Sequence, residues 1–292
     1  MITEVLKALD YSDSIIISPD FDGLLSAAII KKYKDIKISG IYTTNRLFML
    51  DESNPKDSIW VDHDIRQDDI VSIGCHAVYP EISVNPLSFN PHRIYNQHPD
   101  KSFKGKGPNG RDKFPFSTSV LLAHVYKWYP EDIKGIMFLA HADSGYKVFN
   151  DYFDNVKGWS DVFYDENLRK IKDTNPEPIY NDLKMAGYRN PDYQKPSVYV
   201  SSESKYIDNI RQMSNYINDY IKMPEIKDIV STTKFALKGH EFSGKVDSHT
   251  LGVVDKSLSY AVIYKRQISY TVGTLWSKFL SSAKICMIYP LI

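Results

Sequence analysis

Asp20 and Asp22 stand two residues apart in SPDFDGLLSA (residues 18–27), with Phe21 between them and Gly23 after them. On an extended chain, side chains two apart point the same way. The two carboxylates would then lie together and repel unless a cation sits between them. The competing account is helix capping, which needs one carboxylate and leaves the other unexplained. From these ten residues both accounts stand open. Three more places carry similar groups. DSIWVDHDI ends on Asp62, His63 and Asp64, VSIGCHAVYPE carries His76 close to Gly74, and GIMFLAHADSGY runs from apolar residues 136–140 into His141, Ala142 and Asp143. Each is an apolar run delivering carboxylate or imidazole groups at or near its end, and in an open parallel sheet such ends converge on one edge. Asp and His together suit Mn²⁺ or Mg²⁺ better than a thiolate site would. The sequence has no Cys-x-x-Cys pair to indicate structural zinc. A carboxylate-bridged pair of such ions lowers the pKa of bound water and clamps the oxygens of a phosphate ester, so phosphoester hydrolysis is the chemistry these residues predict.

Positioning those groups requires short strands alternating with helices. Strands are predicted over 14–18, 36–42, 58–61, 71–78 and 135–140, with helices following Gly23, Arg66 and Ser117. Gly23 lets the chain turn sharply into the first of these helices. The alternation predicts an α/β fold, a mostly parallel sheet with helices on both faces. Residues 151–196, punctuated by Pro176, Pro178, Pro191 and Pro196, read as short helices and loops. In 204–223 the apolar residues Ile207, Ile210, Met213, Ile217 and Ile221 recur at helical spacing and predict a connecting helix. Strand patterns return from Asp228, with a strand over 259–264, a helix over 272–280 and a last strand over 284–289. The expected organisation is a metal-binding catalytic domain over 1–190, a connecting segment and helix over 191–227, and a small C-terminal α/β domain over 228–292.

At 292 residues and 42% hydrophobic content the chain has room for one large or two modest domains with a real core. Lys plus Arg equals Asp plus Glu, 36 each, so net charge does not point to nucleic acid. A neutral total can still hide a basic channel. The segment KSFKGKGPNGRDKF carries Lys101, Lys104, Lys106, Arg111 and Lys113 among three glycines. It reads either as a solvated loop or as an arm that grips backbone phosphates. The 21 tyrosines could stack bases, although scattered tyrosines more often fill core and surface. Two cysteines, Cys75 and Cys286, argue against a disulfide framework and suit a reducing cytoplasm. No apolar run approaches the ~20 residues of a membrane span, and the first residues lack a signal-peptide pattern. A soluble cytoplasmic protein with no membrane partner is expected.

In their order along the chain, these pieces resemble the Asp-His-His (DHH) phosphoesterase superfamily, and within it the RecJ-type single-strand exonucleases. PDFDGLLSA is similar to the first motif, DxDGxxSa, through Asp20, Asp22, Gly23 and Ser26. SIWVDHDI resembles the second, a strand ending in a metal-bridging Asp, through Asp62. NPLSFNPHRI resembles the NPH segment through Asn90, Pro91 and His92, and KFPFSTSVLLAHVY resembles the segment that follows it. FLAHADSGY is similar to the fourth motif, usually ALGTIAD, and places Asp143 as the second bridging carboxylate. The resemblance covers roughly residues 14–149. No DHH triplet is present: either Asp62-His63-Asp64 is a variant of it, or Gly74-Cys75-His76 is its degenerate counterpart. His76 lies 14 residues before Asn90 (90 − 76), close to the family's usual separation, which favours the second assignment. The Asp and first His of the triplet are then replaced by Gly74 and Cys75.

The resemblance implies that Asp20, Asp22, Asp62, His76 and Asp143 hold one or two Mn²⁺ or Mg²⁺ ions. Asn90, His92 and Arg93 would serve the scissile phosphate, and Lys104, Lys106 and Arg111 would bind substrate. YTVGTLWSKFLSSAKICMIYPLI resembles the family's accessory substrate-binding domain (DHHA1) faintly, and the GGGH motif of the nanoRNase and cyclic-dinucleotide phosphodiesterase branches is absent. The implied substrate is single-stranded DNA or a short oligonucleotide. The alternatives are a small molecule such as a cyclic dinucleotide or pyrophosphate, or a catalytically inactive DHH-like binding module.

Overall fold

Three consecutive isoleucines set the centre of the sheet. Ser14–Ile17 (β1) is buried along its whole length, as expected of a strand covered on both faces. The computed structural model describes residues 1–42, 47–50, 53–65, 67–75, 85–92, 114–140, 142, 153–172, 174, 221–229 and 253–254. All of these fall within one unit, Met1–Asp255. The other strands are β2 (Lys37–Tyr42), β3 (Leu47–Met49), β4 (Ile59–Val61), β5 (Asp64–Ile65), β6 (Ser72–Ile73) and β7 (Val253–Val254). The helices are α1 (Ile2–Leu9), α2 (Phe21–Tyr33), α3 (Thr118–Val125), α4 (Ile133–Ala140), α5 (Phe153–Phe163) and α6 (Glu166–Lys172). β1 pairs in parallel with β2 and with β4, β4 pairs in parallel with β6, and β3 closes the far edge antiparallel to β2. The result is a mixed five-stranded sheet in the order β3-β2-β1-β4-β6, an α/β fold. β5 and β7 form a separate antiparallel pair.

Period-2 alternation divides the two faces. Ile15 and Ile17 join an apolar cluster with Val5 of α1, Leu24 of α2, Leu121 of α3, Met137 of α4, Trp159 of α5 and Leu168 of α6. Ile16 faces the other way, into a smaller cluster of Tyr42, Leu47, Met49, Trp60, Ile65 and Ile70. Among the described residues no helix contributes to that second cluster. Each fully buried Ile or Leu is worth about 1.5–3 kcal/mol over exposure, so the first cluster dominates the packing. The pairing register between β1 and β2 slips between Ile15 and Ile16, from Ile15↔Ile38 to Ile16↔Gly40. Ser39 is the extra residue. Its hydroxyl donates to Ile15 O at 3.1 Å and meets Ser58 Oγ at 2.7 Å, which satisfies a polar group inside the sheet.

Two expectations are corrected. The strand predicted over 135–140 is helix α4. A short, wholly apolar run reads the same in either state. The deciding signal is polar: Asp132 Oδ1 accepts the Gly135 N–H at 2.6 Å, a helix-start contact. No helix follows Arg66, because residues 67–71 make only a short turn before β6. The connecting helix over 204–223 and nearly all of 228–292 lie outside the described residues. Among the described residues, no helix is long and apolar enough to cross a membrane.

α3 is tied to α6 by a titratable pair. His124 Nδ1 lies 2.7 Å from Asp165 Oδ2. Asp165 Oδ1 accepts the N–H groups of Asn167 at 2.8 Å and Leu168 at 3.3 Å, capping α6. Burial pushes the Asp165 carboxyl up, but the hydrogen bonds from His124 and Asn167 and the His124 charge outweigh it and hold it below the usual carboxylate range. A carboxyl whose pKa is lowered on folding adds stability above its unfolded pKa of about 3.9 and loses it as pH falls through the folded value. Asp165→Asn keeps a capping oxygen and removes the charge. We therefore expect wild type to be more stable than D165N by roughly 1 kcal/mol at pH 6. Urea midpoints taken down the pH scale should converge below about pH 4. A gap that persists undiminished in strong acid would show that the charge is not its source.

Candidate metal centre

The site is assembled where β1, β4 and β6 end against the first turns of α2 and α3. β1 runs into Ser18 and Pro19, and Asp20 caps α2 by accepting the Gly23 N–H at 3.0 Å. A Cβ on Gly23 would collide with the Ser18 carbonyl and hydroxyl, so only glycine lets the helix start this close to the strand end. Asp22, one turn position later, caps a different helix. Its Oδ2 accepts the Thr118 N–H at 2.8 Å and its Oδ1 accepts the Ser119 N–H at 2.7 Å, with the Ser26 hydroxyl at 3.3 Å. These N–H groups belong to the first turn of α3, which has no intrahelical acceptor for them. Capping therefore accounts for both carboxylates, Asp20 on α2 and Asp22 on α3.

Asp62 ends β4 with φ 65°, in the left-handed region that costs a non-glycine residue energy. Its N–H donates to Ile73 O at 2.8 Å, anchoring it to β6. Ser18 Oγ lies 2.7 Å from Asp20 Oδ1 and 2.6 Å from Asp62 Oδ2. One hydroxyl proton cannot serve both contacts, so the second brings lone pairs together unless another proton or a cation intervenes. Thr118 Oγ1 stands 3.3 Å from Asp62 Oδ1 and 3.4 Å from Cys75 Sγ. The Cys75 thiol also reaches Phe116 O at 3.7 Å. Asp22, Asp62 and Cys75 are all buried and each offers a ligand atom within 4.8 Å of the others. With zinc–sulfur and zinc–oxygen bonds of about 2.3 and 2.0–2.2 Å, two donors on one tetrahedral ion stand roughly 3.4–3.6 Å apart. Movements of up to ~1 Å bring the three donors onto a single ion, and the donor set, two carboxylates and a thiol, fits a divalent metal.

The remaining candidates divide. His63 lies on the opposite face, its ring edge-on to Tyr42 (5.4 Å) and Trp60 (5.6 Å). Asp64 Oδ1 accepts Asn90 Nδ2–H at 2.9 Å, and Asn90 Oδ1 accepts the His92 N–H at 2.9 Å. The Phe114 N–H donates to His92 Nε2 at 2.8 Å, which assigns the ring proton to Nδ1, 2.8 Å from Asn90 Oδ1. Both nitrogens of His92 thus have protein partners, and Asn90 and His92 bind the segment after β6 to the start of the α3 region. A Cβ on Gly74 would lie 2.5 Å from His63 O and 2.8 Å from Asp64 Oδ1. An aspartate at that place would not fit this packing. His76, Arg93, Asp143, Lys104, Lys106 and Arg111 lie outside the described residues. The sequence pattern passes over Cys75, although it follows the end of β6 as Asp62 follows β4.

No family model, curated protein or solved structure matches the chain.

Asp22→Asn separates support from repulsion at this site. An amide NH₂ would face one of the two α3 N–H groups, so we expect D22N to lose about 1–3 kcal/mol in urea unfolding without added metal. If the repulsion between Asp22 and Asp62 outweighs these bonds, D22N will be more stable than wild type.

Proposed function

We propose that the chain is a divalent-metal-dependent phosphoesterase, acting on single-stranded DNA or short oligonucleotides in the manner of the RecJ-type enzymes its motifs resemble. The observation that supports this is the convergence of Asp22, Asp62 and Cys75 donor atoms within 4.8 Å, buried, where β1, β4 and β6 end. A divalent ion held there supplies a bound water of lowered pKa and neutralises charge on the phosphate. The chain's own part is to hold the donors still. Asp22 is fixed by two N–H groups of α3, and Asp62 by its backbone bond to Ile73 and by the Ser18 and Thr118 hydroxyls. In this reading Asp20, His76 and Asp143 complete the ligand set around Mn²⁺ or Mg²⁺, Arg93 joins them at the phosphate, and Asn90 and His92 position the segment carrying it. The rest of the fold belongs to the same reading: helices on both faces of a mostly parallel sheet, and a small DHHA1-like domain over 228–292.

Purified protein with Mn²⁺ or Mg²⁺ should hydrolyse labelled single-stranded DNA, and chelation should abolish the activity. Asp62→Asn should lower kcat/KM at least about a hundredfold, because charge stabilisation by a bound ion is worth several kcal/mol and each 1.36 kcal/mol is a factor of ten. Activity on dinucleotides or cyclic dinucleotides alone would instead assign a small-molecule phosphodiesterase. A second reading is an inactive DHH-like binding module, favoured by the structural bonds that Asp20 and Asp22 already make. Hydrolysis that is absent with every metal and substrate would establish it.

A separate test concerns the basic segment. If Lys104, Lys106 and Arg111 grip a polymer, replacing all three by Ala should reduce the slope of log affinity against log salt by about 0.7 per lost phosphate contact on a single strand. Cleavage of a dinucleotide should change little. An unchanged slope would make the segment a linker.

A further inference from the structure

We infer that the Cys75 thiolate is a direct ligand of the centre and that it turns the site from hard ions toward Zn²⁺, Co²⁺ and Fe²⁺. This inference rests on the proposed metal site and changes its occupant. Cys75 is 1% exposed, and its sulfur is one of only three donors that converge among the described residues. Its position is imposed by the backbone. The chain at Gly74 passes so close to the His63 carbonyl that a Cβ there would lie 2.5 Å from it, and the Gly74 N–H is bonded to Phe89 O at 3.1 Å. The residue after Gly74 is thereby delivered beside Asp22 and Asp62, and that residue is a cysteine. Thr118 Oγ1 stands 3.4 Å from the sulfur and 3.3 Å from Asp62 Oδ1, so its one proton can turn from the carboxylate to the sulfur once that carries charge. Without metal the S–H proton has Phe116 O as acceptor at 3.7 Å. Binding replaces the S–H bond by a sulfur–metal bond and releases one proton to solvent.

Softness then decides the metal. Carboxylate and water suit Mg²⁺ and Mn²⁺, whereas a thiolate selects zinc-class ions and contributes little to Mg²⁺. Zn²⁺ exceeds Mn²⁺ on almost any donor set, so the preference itself is not diagnostic. Its dependence on Cys75 is.

The test is a Co²⁺ titration of the full chain followed by absorbance. A thiolate ligand gives a sulfur-to-cobalt charge-transfer band in the near ultraviolet, and carboxylates alone give only the weak visible bands. We expect the charge-transfer band to saturate with the visible bands, to be abolished by one equivalent of Zn²⁺ and to survive excess Mg²⁺. Cys286→Ser should retain it, because Cys286 is the only other cysteine. Cys75→Asp should lose the band, keep the visible ones, and narrow the Zn²⁺-to-Mn²⁺ affinity ratio at least about tenfold. Visible cobalt bands without the charge-transfer band in wild type would overturn Cys75 as a ligand and leave the metal site standing. No binding of Co²⁺, Zn²⁺ or Mn²⁺ would overturn both. If Cys75→Asp fails to fold, the spectrum of Cys286→Ser decides: a retained band leaves Cys75 as the only thiolate, and a lost band overturns it.

Discussion

The Asp22 carboxylate, held by the N–H groups of Thr118 and Ser119, is the contact on which the site depends. It joins residues 96 and 97 positions apart in sequence and brings two helix N-termini to the carboxyl edge of the sheet. Asp22 sits in the first turn of α2, so the positive ends of α2 and α3 both face it. Burying an unpaired carboxylate costs several kcal/mol. Two charge-assisted bonds at about 1.5–3 kcal/mol each, with a helix-dipole contribution of up to ~2 kcal/mol, are of the size needed to offset it. Only with that negative charge accommodated can Asp62 and Cys75 be packed beside it. The same contact orients α3, whose Leu121 and Val120 then fill the core beside α2.

The parts of this arrangement legible in the sequence are those governed by local periodicity and local turn chemistry. The isoleucine run of β1, the entry into α2 after Pro19, and the start of α3 behind Ser117 all follow from patterns within a few residues. The pairing of Asp22 with Asp62 follows from one further rule, that ends of parallel strands share an edge. What was not legible depends on contacts across the chain. Nothing near Asp22 announces that its partners are backbone groups of α3, and the choice between capping and metal binding looked exclusive for that reason. Cys75 carries no local signal beyond following an apolar strand, and against a motif of imidazoles it reads as a loss. α4 was unreadable for a different reason. Burial of every residue from Gly135 to Ala140 erases the 3.6-residue period that distinguishes a helix from a strand.

Two backbone features decide which side chains stand at the ends of β4 and β6. Asp62 holds a left-handed conformation, and Gly74 lies against the carbonyl of the residue that follows it. Together they fold the β4–β5 corner onto the end of β6, leaving no space for a Cβ at position 74. The corner also sends consecutive side chains to opposite faces, Asp62 toward the helices and His63 against Tyr42 and Trp60. The His63 imidazole is therefore turned away from the place that Cys75 occupies. The donor delivered there is sulfur.

Strain at Asp62 has to be maintained by its surroundings, because a left-handed aspartate would otherwise relax at a gain of order 1–3 kcal/mol. The Ile73 carbonyl, Ser18 and Thr118 supply that restraint from three different segments. The neighbouring chain of Asp64, Asn90, His92 and the Phe114 backbone adds a second, buried tie between the β6 region and the start of α3. Such networks are rigid when every member is bonded. This places the restraint in the protein and leaves the ligand atoms of Asp22, Asp62 and Cys75 only small movements. An ion bound there, as proposed, would be selected by the chemistry of its donors rather than by collapse of the site around it. In that proposal the identity of residue 75 would matter more to metal choice than the size of the space around it.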